Sequence, residues 1–405
     1  KKGLTIDFDK ARKEVKKYIE QYHMDVQLDK KVSQISVGEA QRVEIIKTLM
    51  RGADIIILDE PTAVLTPQEA ERLFEILNNL KQDGKSLVFI SHKLNEVMAI
   101  SDRISVMRQG QYMGTVNKEE TSPLDLTKRM IGREVFLNID KAYSEAGDTI
   151  LEVQDVWIPS QKETSKIRGM SLHVKAGEIV GVAGIDGNGQ SELVEAITGL
   201  RKVEKGKILL CGKDITNQSP RKVRESGLSH IPEDRNTRGL NRAMTIEENL
   251  IAVRLDQPPF TKGIMMNKSG QDTYAKEMVE QFDIRPADYN LPTSSLSGGN
   301  AQKVVVAREV SLGNKLLLAP QPTRGVDIGA IELIRNTLEK AKKAGAGVLL
   351  VSAELEEIIS LSDRIVVIHE GKITGEMRAD EANENNLGLL MMGGTDTGKD
   401  GEAAV

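Results

Sequence analysis

Short apolar runs alternate with amphipathic stretches along the first third of the chain. Residues 54–58 and 86–90 are apolar and rich in β-branched side chains, a pattern that predicts buried parallel strands. Pro67 suits the first turn of a helix. Because strands alternate with helices, we expect right-handed crossovers and a parallel sheet covered on both faces, which is an α/β fold. The stretches that predict helices are residues 8–23, 38–50, 67–80 and 93–99.

The same order of elements returns in the last third of the chain. Apolar runs at residues 315–318 and 347–351 predict strands, and helices are expected after Gly329 and over residues 354–361. Ahead of them, residues 177–184 predict a strand that runs into a glycine-rich turn, with a helix over 192–200. The two regions therefore predict two copies of one α/β arrangement.

Identical residues confirm the repeat at a constant offset of 261 positions, which is the separation of Ser36 from Ser297. Ser101-Asp102-Arg103-Ile104 returns as Ser362-Asp363-Arg364-Ile365, and Pro61-Thr62 returns as Pro322-Thr323. A repeat of this size is a whole domain rather than a solenoid unit. The first-copy counterpart of the glycine-rich turn would lie before Lys1, so we expect the chain to begin inside its first domain.

Composition narrows the class of protein. Hydrophobic residues make up 39% and charged residues 28%, as in ordinary globular proteins, and 405 residues suggest two to three domains. The net charge of −5 and the dispersed basic residues argue against a nucleic-acid partner. Cys211 is the only cysteine, which excludes an intrachain disulfide. The predicted organisation is a first domain at 1–135, a linker at 136–149, a second domain at 150–392 and a disordered tail at 393–405.

The glycine-rich turn carries candidate phosphate chemistry. Residues 184–191 read G-x-x-x-x-G-[K]-[ST], with Gln190 at the lysine position. Its backbone N–H groups and the following helix N-terminus suit phosphate oxygens, and Ser191 could hold Mg²⁺. Gln190 removes the point charge that normally follows the β- and γ-phosphates. The alternative is a plain strand-to-helix corner, which the repeat makes the weaker interpretation.

Candidate catalytic groups follow the strands of the first copy. Asp59 and Glu60 end an apolar strand, where Asp59 suits Mg²⁺ held through water and Glu60 suits a general base for an attacking water. His92 follows the next strand and could sense a γ-phosphate. The alternatives are a solvated acidic turn and a hydrogen-bonded structural histidine.

Taken together, these motifs resemble those of ATP-binding cassettes. Residues 296–302 (LSGGNAQ) resemble the cassette signature, and residues 35–42 (ISVGEAQR) resemble a variant of it. Residues 58–62 (LDEPT) look like a Walker B motif, Ser91-His92 like the histidine switch, and residues 184–191 like a Walker A motif. The segment at 231–235 (IPEDR) is similar to the Q-loop region of tandem-cassette sugar importers, with Glu233 where glutamine is usual.

The chain resembles the two-cassette ATPase subunits of bacterial importers for simple sugars or nucleosides. Residues 187–192 (GNGQSE) and 321–327 (QPTRGVD) look like the branch that imports nucleosides. The resemblance implies a P-loop cassette fold with a parallel-sheet core and a helical subdomain in two tandem copies, the first incomplete. ATP and Mg²⁺ are the implied cofactors. Implied partners are integral-membrane permease subunits and an extracellular substrate-binding protein, which places the chain peripherally on the cytoplasmic face of the cell membrane.

Cassettes of this family pair head to tail, with each other or with a second chain. The resemblance therefore assigns Glu60 and His92 to catalysis, Asp59 and Ser191 to the metal, and Glu233 to coupling. The residues it assigns to nucleotide binding are Gly184, Asp186, Gly187, Asn188, Gly189, Gln190, Ser191 and Glu192 in the loop, Ser36, Val37, Gly38 and Glu39 in the first signature, and Ser297, Gly298, Gly299 and Asn300 in the second.

The second copy departs from the family pattern at chemical positions. Pro320 and Gln321 replace the Walker B carboxylates, Ala353 replaces the switch histidine, and Gln190 replaces the lysine. This pattern predicts a cassette that binds ATP without hydrolysing it, and little ATPase activity from the chain as it stands. The alternatives are a non-hydrolysing pseudo-ATPase and a soluble tandem-cassette ATPase of the translation-factor type. Residues 244–250 are expected to face the membrane subunit or to form a helix-capping box.

Overall fold

The computed structural model describes residues 7–32, 35, 37–62, 65, 67–91, 93–108, 110–132, 147–160, 166–263 and 265–394. It divides into two compact units, Lys1–Val135 and Phe136–Val405. The predicted linker lies mostly outside the described residues, and its last residue, Thr149, begins a strand of the second unit. Of the predicted tail, only Gly393 and Gly394 are described.

The first unit alternates helices and strands as its sequence predicts. Its strands form two separate pairs: β1 and β2 run parallel, and β3 and β4 form an antiparallel hairpin. The element bounds are α1 Phe8–Gln21, α2 Val37–Met50, β1 Ile55–Asp59, α3 Pro67–Gln82, β2 Ser86–Ile90, α4 Leu94–Ile100, β3 Arg103–Arg108, β4 Gln111–Asn117 and α5 Pro123–Ile131.

The described part of the second unit contains three sheets, which have six, four and two strands, and most of the helices. The first part of this unit has the bounds β5 Thr149–Ile158, β6 Ile167–Lys175, β7 Ile179–Ala183, α6 Gln190–Ile197, β8 Lys205–Leu210, β9 Lys213–Asp214, α7 Pro220–Glu225 and β10 Leu228–His230. The remaining elements are α8 Ile246–Ile251, β11 Thr261–Lys262, β12 Met265–Met266, α9 Lys268–Gln281, α10 Gly298–Val310, β13 Leu316–Pro320, α11 Ile328–Lys343, β14 Gly347–Ser352, α12 Leu355–Leu361, β15 Arg364–His369, β16 Lys372–Arg378 and α13 Glu384–Met391.

A six-stranded sheet forms the centre of the second unit, in the order β10-β13-β14-β7-β15-β16. All neighbouring pairs in it are parallel except β15 and β16. Side chains alternate between its two faces, so Ile179 packs with helices α10 to α12, whereas Val180 packs with β5, β6, β8 and α6. The strand β7 that precedes the glycine-rich turn is buried along its whole length.

The first unit buries only one face of its parallel strands. Ile56 and Leu58 pack on α2 and α3, whereas Ile55, Ile57 and Val88 point to solvent, and Ile57 is 68% exposed. The prediction that this sheet is covered on both faces is therefore wrong for the first unit. Apolar composition alone cannot show which neighbours a strand has.

The second copy shows what covers the corresponding face. Leu316, Leu318 and Leu349 are the counterparts of Ile55, Ile57 and Val88 at the constant offset, and each is fully buried. They pack in one cluster with β5, β6, β8 and α6. Among the described residues of the first unit, no strand lies between β2 and β3, whereas β7 lies between their counterparts β14 and β15.

Side-chain bonds within the first unit recur at equivalent positions within the second unit. Lys81 Nζ lies 2.8 Å from Asp102 Oδ1, and Lys342 Nζ lies 2.6 Å from Asp363 Oδ1. The second oxygen of Asp363 also accepts the backbone N–H of Ile179 at 2.8 Å, which fixes the start of β7. The repeat therefore extends to the polar contacts at the sheet edge.

None of the described helices combines the length and the apolarity that a membrane span requires. The capping-box interpretation of residues 244–250 is confirmed, because Thr245 Oγ1 accepts the N–H of Glu248 at 3.1 Å and the Glu248 carboxylate accepts the N–H of Thr245 at 2.8 Å. These two bonds fix the start of α8.

Candidate functional site

A cavity of about 810 Å³ opens within the second unit, beside the glycine-rich turn. Residues that follow β7, β10, β13 and β14 line it, so it lies at the carboxyl ends of four parallel strands of the central sheet. Ligands of open α/β sheets bind in this position. The loop residues that line it are Asp186, Gly187, Gln190 and Ser191.

The turn between β7 and α6 owes its shape to glycine. Gly187 has φ 92° and Gly189, the N-cap of α6, has φ 112°, both in the left-handed region that glycine adopts without strain. No side chain among the described residues caps this helix start. The first N–H groups of α6 are therefore available to an anion, as in phosphate-binding loops.

Gln190 folds back into the loop. It is 8% exposed, its Nε2 donates to the carbonyl oxygen of Ile185 at 3.1 Å, and its Oε1 has no hydrogen-bond partner among the described residues. A Cβ at Gly184 would collide with this amide. The lysine position thus carries a neutral, buried group, and Gly184 gives it room.

One carboxylate joins the loop to the far wall of the cavity. Ser191 Oγ donates to Glu233 Oε2 at 3.4 Å, and Arg324 Nη1 lies 2.9 Å from Glu233 Oε1. Mg²⁺ prefers oxygen ligands and is usually bound by a few protein oxygens together with nucleotide phosphates. The hydroxyl of Ser191 and the carboxylate of Glu233 therefore fit the implied metal. Arg324 was not among the sequence-predicted site residues.

Arg235 holds the loop that carries Arg324. Its guanidinium donates to the carbonyl oxygens of Arg324 at 2.7 Å and of Gly325 at 3.0 Å. Burial lowers the pKa of Arg235, although Asp234 opposes the shift. Asp234 also caps the single π-helical turn Arg235–Gly239 by accepting the N–H of Asn236 at 2.8 Å. These hydrogen bonds therefore fix two segments that line the cavity, the turn that follows Glu233 and the loop that carries Arg324.

The end of β13 lacks acidic side chains. Pro320 is the last residue of the strand, and Gln321 follows with φ 48°. The N–H of Gln321 donates to the carbonyl oxygen of Val351 at 2.7 Å, and the side-chain Oε1 of Gln321 accepts the N–H of Ala353 at 3.4 Å. A non-glycine residue in the left-handed region is strained and is typical of functional positions. The geometry of a Walker B turn is thus retained without its carboxylates.

The first copy keeps the same turn with its acid. Glu60 has φ 42° and its N–H donates to Ile90 at 2.8 Å, matching Gln321 in both respects. Asp59 ends β1 beside it, and both side chains are exposed. His92 and Ser36 lie outside the described residues, as does the side chain of Val37. Gly38 and Glu39 lie in the first turn of α2.

The second signature segment lies at the start of α10. Ser297 caps this helix, and Asn300 accepts the N–H of Arg285 at 2.7 Å. A Cβ at Gly299 would collide with Asp327, so the close approach of the two segments requires glycine here. Residues 297–300 do not line the cavity. The second unit therefore does not bring its own signature together with its glycine-rich turn.

His230 is a cavity residue that the sequence analysis missed. It ends β10, and its Nε2 is buried without a hydrogen-bond partner among the described residues. Desolvation lowers the pKa of His230 to about 4, against the opposing charge of Glu309. The sequence analysis predicts no strand at residues 228–230, so no sequence signal placed His230 at a strand end.

Comparison with known proteins agrees with this geometry. The sequence matches the family described as ABC transporter over residues 1–63 and 167–324, which is more than half of the chain. The chain belongs to the ABC transporter family. The matched ranges include the glycine-rich turn and the second signature segment. No group of three or more metal-binding side chains occurs within the described part of the chain.

Two curated relatives span nearly all of the chain. The nucleoside import ATP-binding protein NupA of Lactococcus lactis is 47% identical, over 97% of this chain and 78% of its own. The guanosine import ATP-binding protein NupO of Bacillus subtilis is 45% identical, over 98% and 78%. A solved ATP-binding subunit of an ABC transporter aligns with a TM-score of 0.52 at 22% identity, over 60% of this chain and all of its own. The last comparison supports the cassette fold alone.

Proposed function

We propose that this protein is the ATP-binding subunit of an importer for nucleosides or simple sugars. The observation that carries the proposal is a glycine-rich turn that opens onto a cavity at the carboxyl ends of the central sheet, in a chain 47% identical to a nucleoside import ATP-binding protein. Its partners are then membrane permease subunits and an external substrate-binding protein. The chain acts at the cytoplasmic face of the membrane.

The second unit binds ATP and keeps it intact. The helix N-terminus of α6 and Ser191 hold the phosphates, and Glu233 with Ser191 can hold Mg²⁺. Glu192, Asn188 and the loop glycines complete the turn. Hydrolysis needs a group that orients or deprotonates water, and the end of β13 offers an amide and a proline instead. ATP bound in this unit therefore contributes binding energy and is not hydrolysed.

The first unit carries the groups for hydrolysis. Asp59 ends β1 and Glu60 follows it, as Pro320 ends β13 and Gln321 follows it, with a positive φ at both Glu60 and Gln321. His92 follows β2 in sequence. We propose that this unit is the later half of a cassette of the same kind, because its exposed strand face matches a face that the second unit covers. The pairing of each signature with the opposite nucleotide loop remains a prediction.

The nucleotide-binding part of the proposal is tested by calorimetric titration of the chain with MgATP. Ser191→Glu places a carboxylate among the phosphates and should abolish the binding heat. Ser269→Glu is the matched control, because Ser269 is likewise the exposed second residue of its helix, α9. Binding that survives Ser191→Glu would place the nucleotide elsewhere and refute the assignment.

The transport part is tested in cells from which the gene is deleted. Uptake of labelled guanosine should fall to the background level, whereas uptake of labelled ribose should remain if the substrate is a nucleoside. Loss of ribose uptake alone would make the protein a sugar importer subunit. Unchanged uptake of both would contradict the importer function.

A further inference from the structure

Glu233 already occupies an anion position in the cavity of the second unit. Its two carboxylate oxygens meet Ser191 at 3.4 Å and Arg324 at 2.9 Å, so a single acidic group spans the distance from the phosphate loop to the guanidinium. Arg324 lines the same cavity as Gln190, Ser191 and Gln321. An anion larger than a carboxylate, seated on Ser191, would come within reach of Arg324.

The position of this arginine complements a missing charge. Gln190 leaves the phosphate loop without a cation. Arg324 lies three residues after Gln321, and Gln321 occupies the turn position that Glu60 occupies in the first unit. The first-copy counterpart of Arg324 at the constant offset is Ala63. A guanidinium therefore lines the cavity of the copy whose loop lacks lysine.

The ion pair is not what holds the loop in place. Arg235 binds the carbonyl oxygens of Arg324 and Gly325, and the N–H of Arg324 donates to Gln321 at 3.1 Å. The side chains of Glu233 and Arg324 remain 39% and 43% exposed. A pair this exposed is weak, and only one Arg324 nitrogen contacts the carboxylate, whereas a phosphate carries more charge and can bind a guanidinium through two parallel hydrogen bonds. The side chain of Arg324 can thus change partners while its backbone stays fixed.

We propose that Arg324 is a nucleotide-binding residue of the second unit that pairs with Glu233 until the terminal phosphate of ATP displaces that carboxylate. Arg324 then supplies the positive charge that Gln190 does not, and Glu233, no longer paired with Arg324, would be available with Ser191 to hold Mg²⁺. The proposal rests on the proposed binding of ATP to this unit. It makes Arg324 specific for the third phosphate, so the side chain favours ATP over ADP.

The test measures ATP and ADP affinity of the full chain by calorimetry in EDTA, so that metal ligation by Glu233 does not contribute. Arg324→Gln should weaken ATP binding about tenfold and change ADP binding by less than about twofold. Glu233→Gln should tighten ATP binding by about three- to tenfold, because it removes the competing anion. Arg324→Lys, which keeps the charge, should retain most of the preference for ATP.

Arg378→Gln is the control for a lost arginine charge, because Arg378 pairs with Asp380 at 3.0 Å on the same unit and does not line the cavity. It should leave both affinities unchanged. The proposal is overturned if both cavity variants weaken ATP binding, which indicates a structural pair, or if neither changes it. Loss of ATP and ADP binding together in Arg324→Gln also overturns it. A wild-type chain that binds no ATP refutes the proposed function instead, and the inference with it.

Discussion

Gln302 donates a hydrogen bond of 2.8 Å from its side-chain Nε2 to the carbonyl oxygen of Pro322. Gln41 makes the same bond to Pro61, also at 2.8 Å, in the first unit. Each bond ties the helix that follows a signature segment to the turn that ends the adjacent strand. The signature and the Walker B turn are therefore mechanically linked within each copy.

Replacing Gln302 with leucine should destabilise the second unit by about 1–3 kcal/mol, because the buried carbonyl of Pro322 loses its partner. Trp157 is the only tryptophan of the chain and lies in β5, so its fluorescence during urea unfolding reports on this unit. Gln41→Leu is the control, since it alters the equivalent bond in the other unit. An unchanged Trp157 transition in Gln302→Leu would show that the bond contributes nothing.

A second prediction concerns Glu309, which is fully buried between Arg308 at 2.9 Å and Arg224 at 2.8 Å. Desolvation alone would raise the pKa of Glu309, but these two arginines lower it below its usual range. Glu309→Gln leaves Arg308 buried without its countercharge and should cost about 3–5 kcal/mol in the Trp157 transition.

The control for Glu309 is the exposed pair of Arg221 and Glu225, 2.9 Å apart. Glu225→Gln should change the free energy of unfolding by less than about 1 kcal/mol, because water screens an exposed pair. Equal effects of the two substitutions would contradict the structural role assigned to Glu309.

The pH dependence of stability should reveal His230. Its folded pKa of about 4 lies below the unfolded value of 6.5, so the unfolded chain binds more protons between those pH values. The contribution of the neutral imidazole is full above pH 6.5 and is lost as the pH falls toward 4, by up to about 3 kcal/mol. The unfolding free energy of His230→Gln should therefore fall less steeply than that of the wild type in this window. An equal pH dependence of the unfolding free energy in the wild type and in His230→Gln would contradict the lowered pKa of His230.

Because one strand face is exposed in the first unit and buried in the second, equivalent substitutions in the two units should change the free energy of unfolding by different amounts. Leu318→Thr removes apolar atoms from a buried site and should cost about 2–4 kcal/mol in the Trp157 transition. Ile57→Thr alters the exposed counterpart and should instead lower the concentration-dependent light scattering of the chain. Scattering that is unchanged in Ile57→Thr would show that this face does not drive association.

The order of helices and strands could be predicted from the sequence because apolar periodicity and the 261-residue offset are local or linear signals. The helix that follows Gly329 and the strand at residues 347–351 were predicted from the same signals and are present as α11 and β14. The exposure of Ile57 could not be predicted, since the same apolar strand is buried in one copy and half-exposed in the other. Neither could Arg324 or His230 be assigned to the cavity, because four segments far apart in sequence meet there.

The fate of bound nucleotide shows whether the second unit holds ATP without splitting it. Excess chain is mixed with MgATP labelled in its terminal phosphate and quenched over time. We expect the bound label to be recovered as ATP. Phosphate release that Gln321→Ala slows and Glu60→Gln leaves unchanged would contradict it.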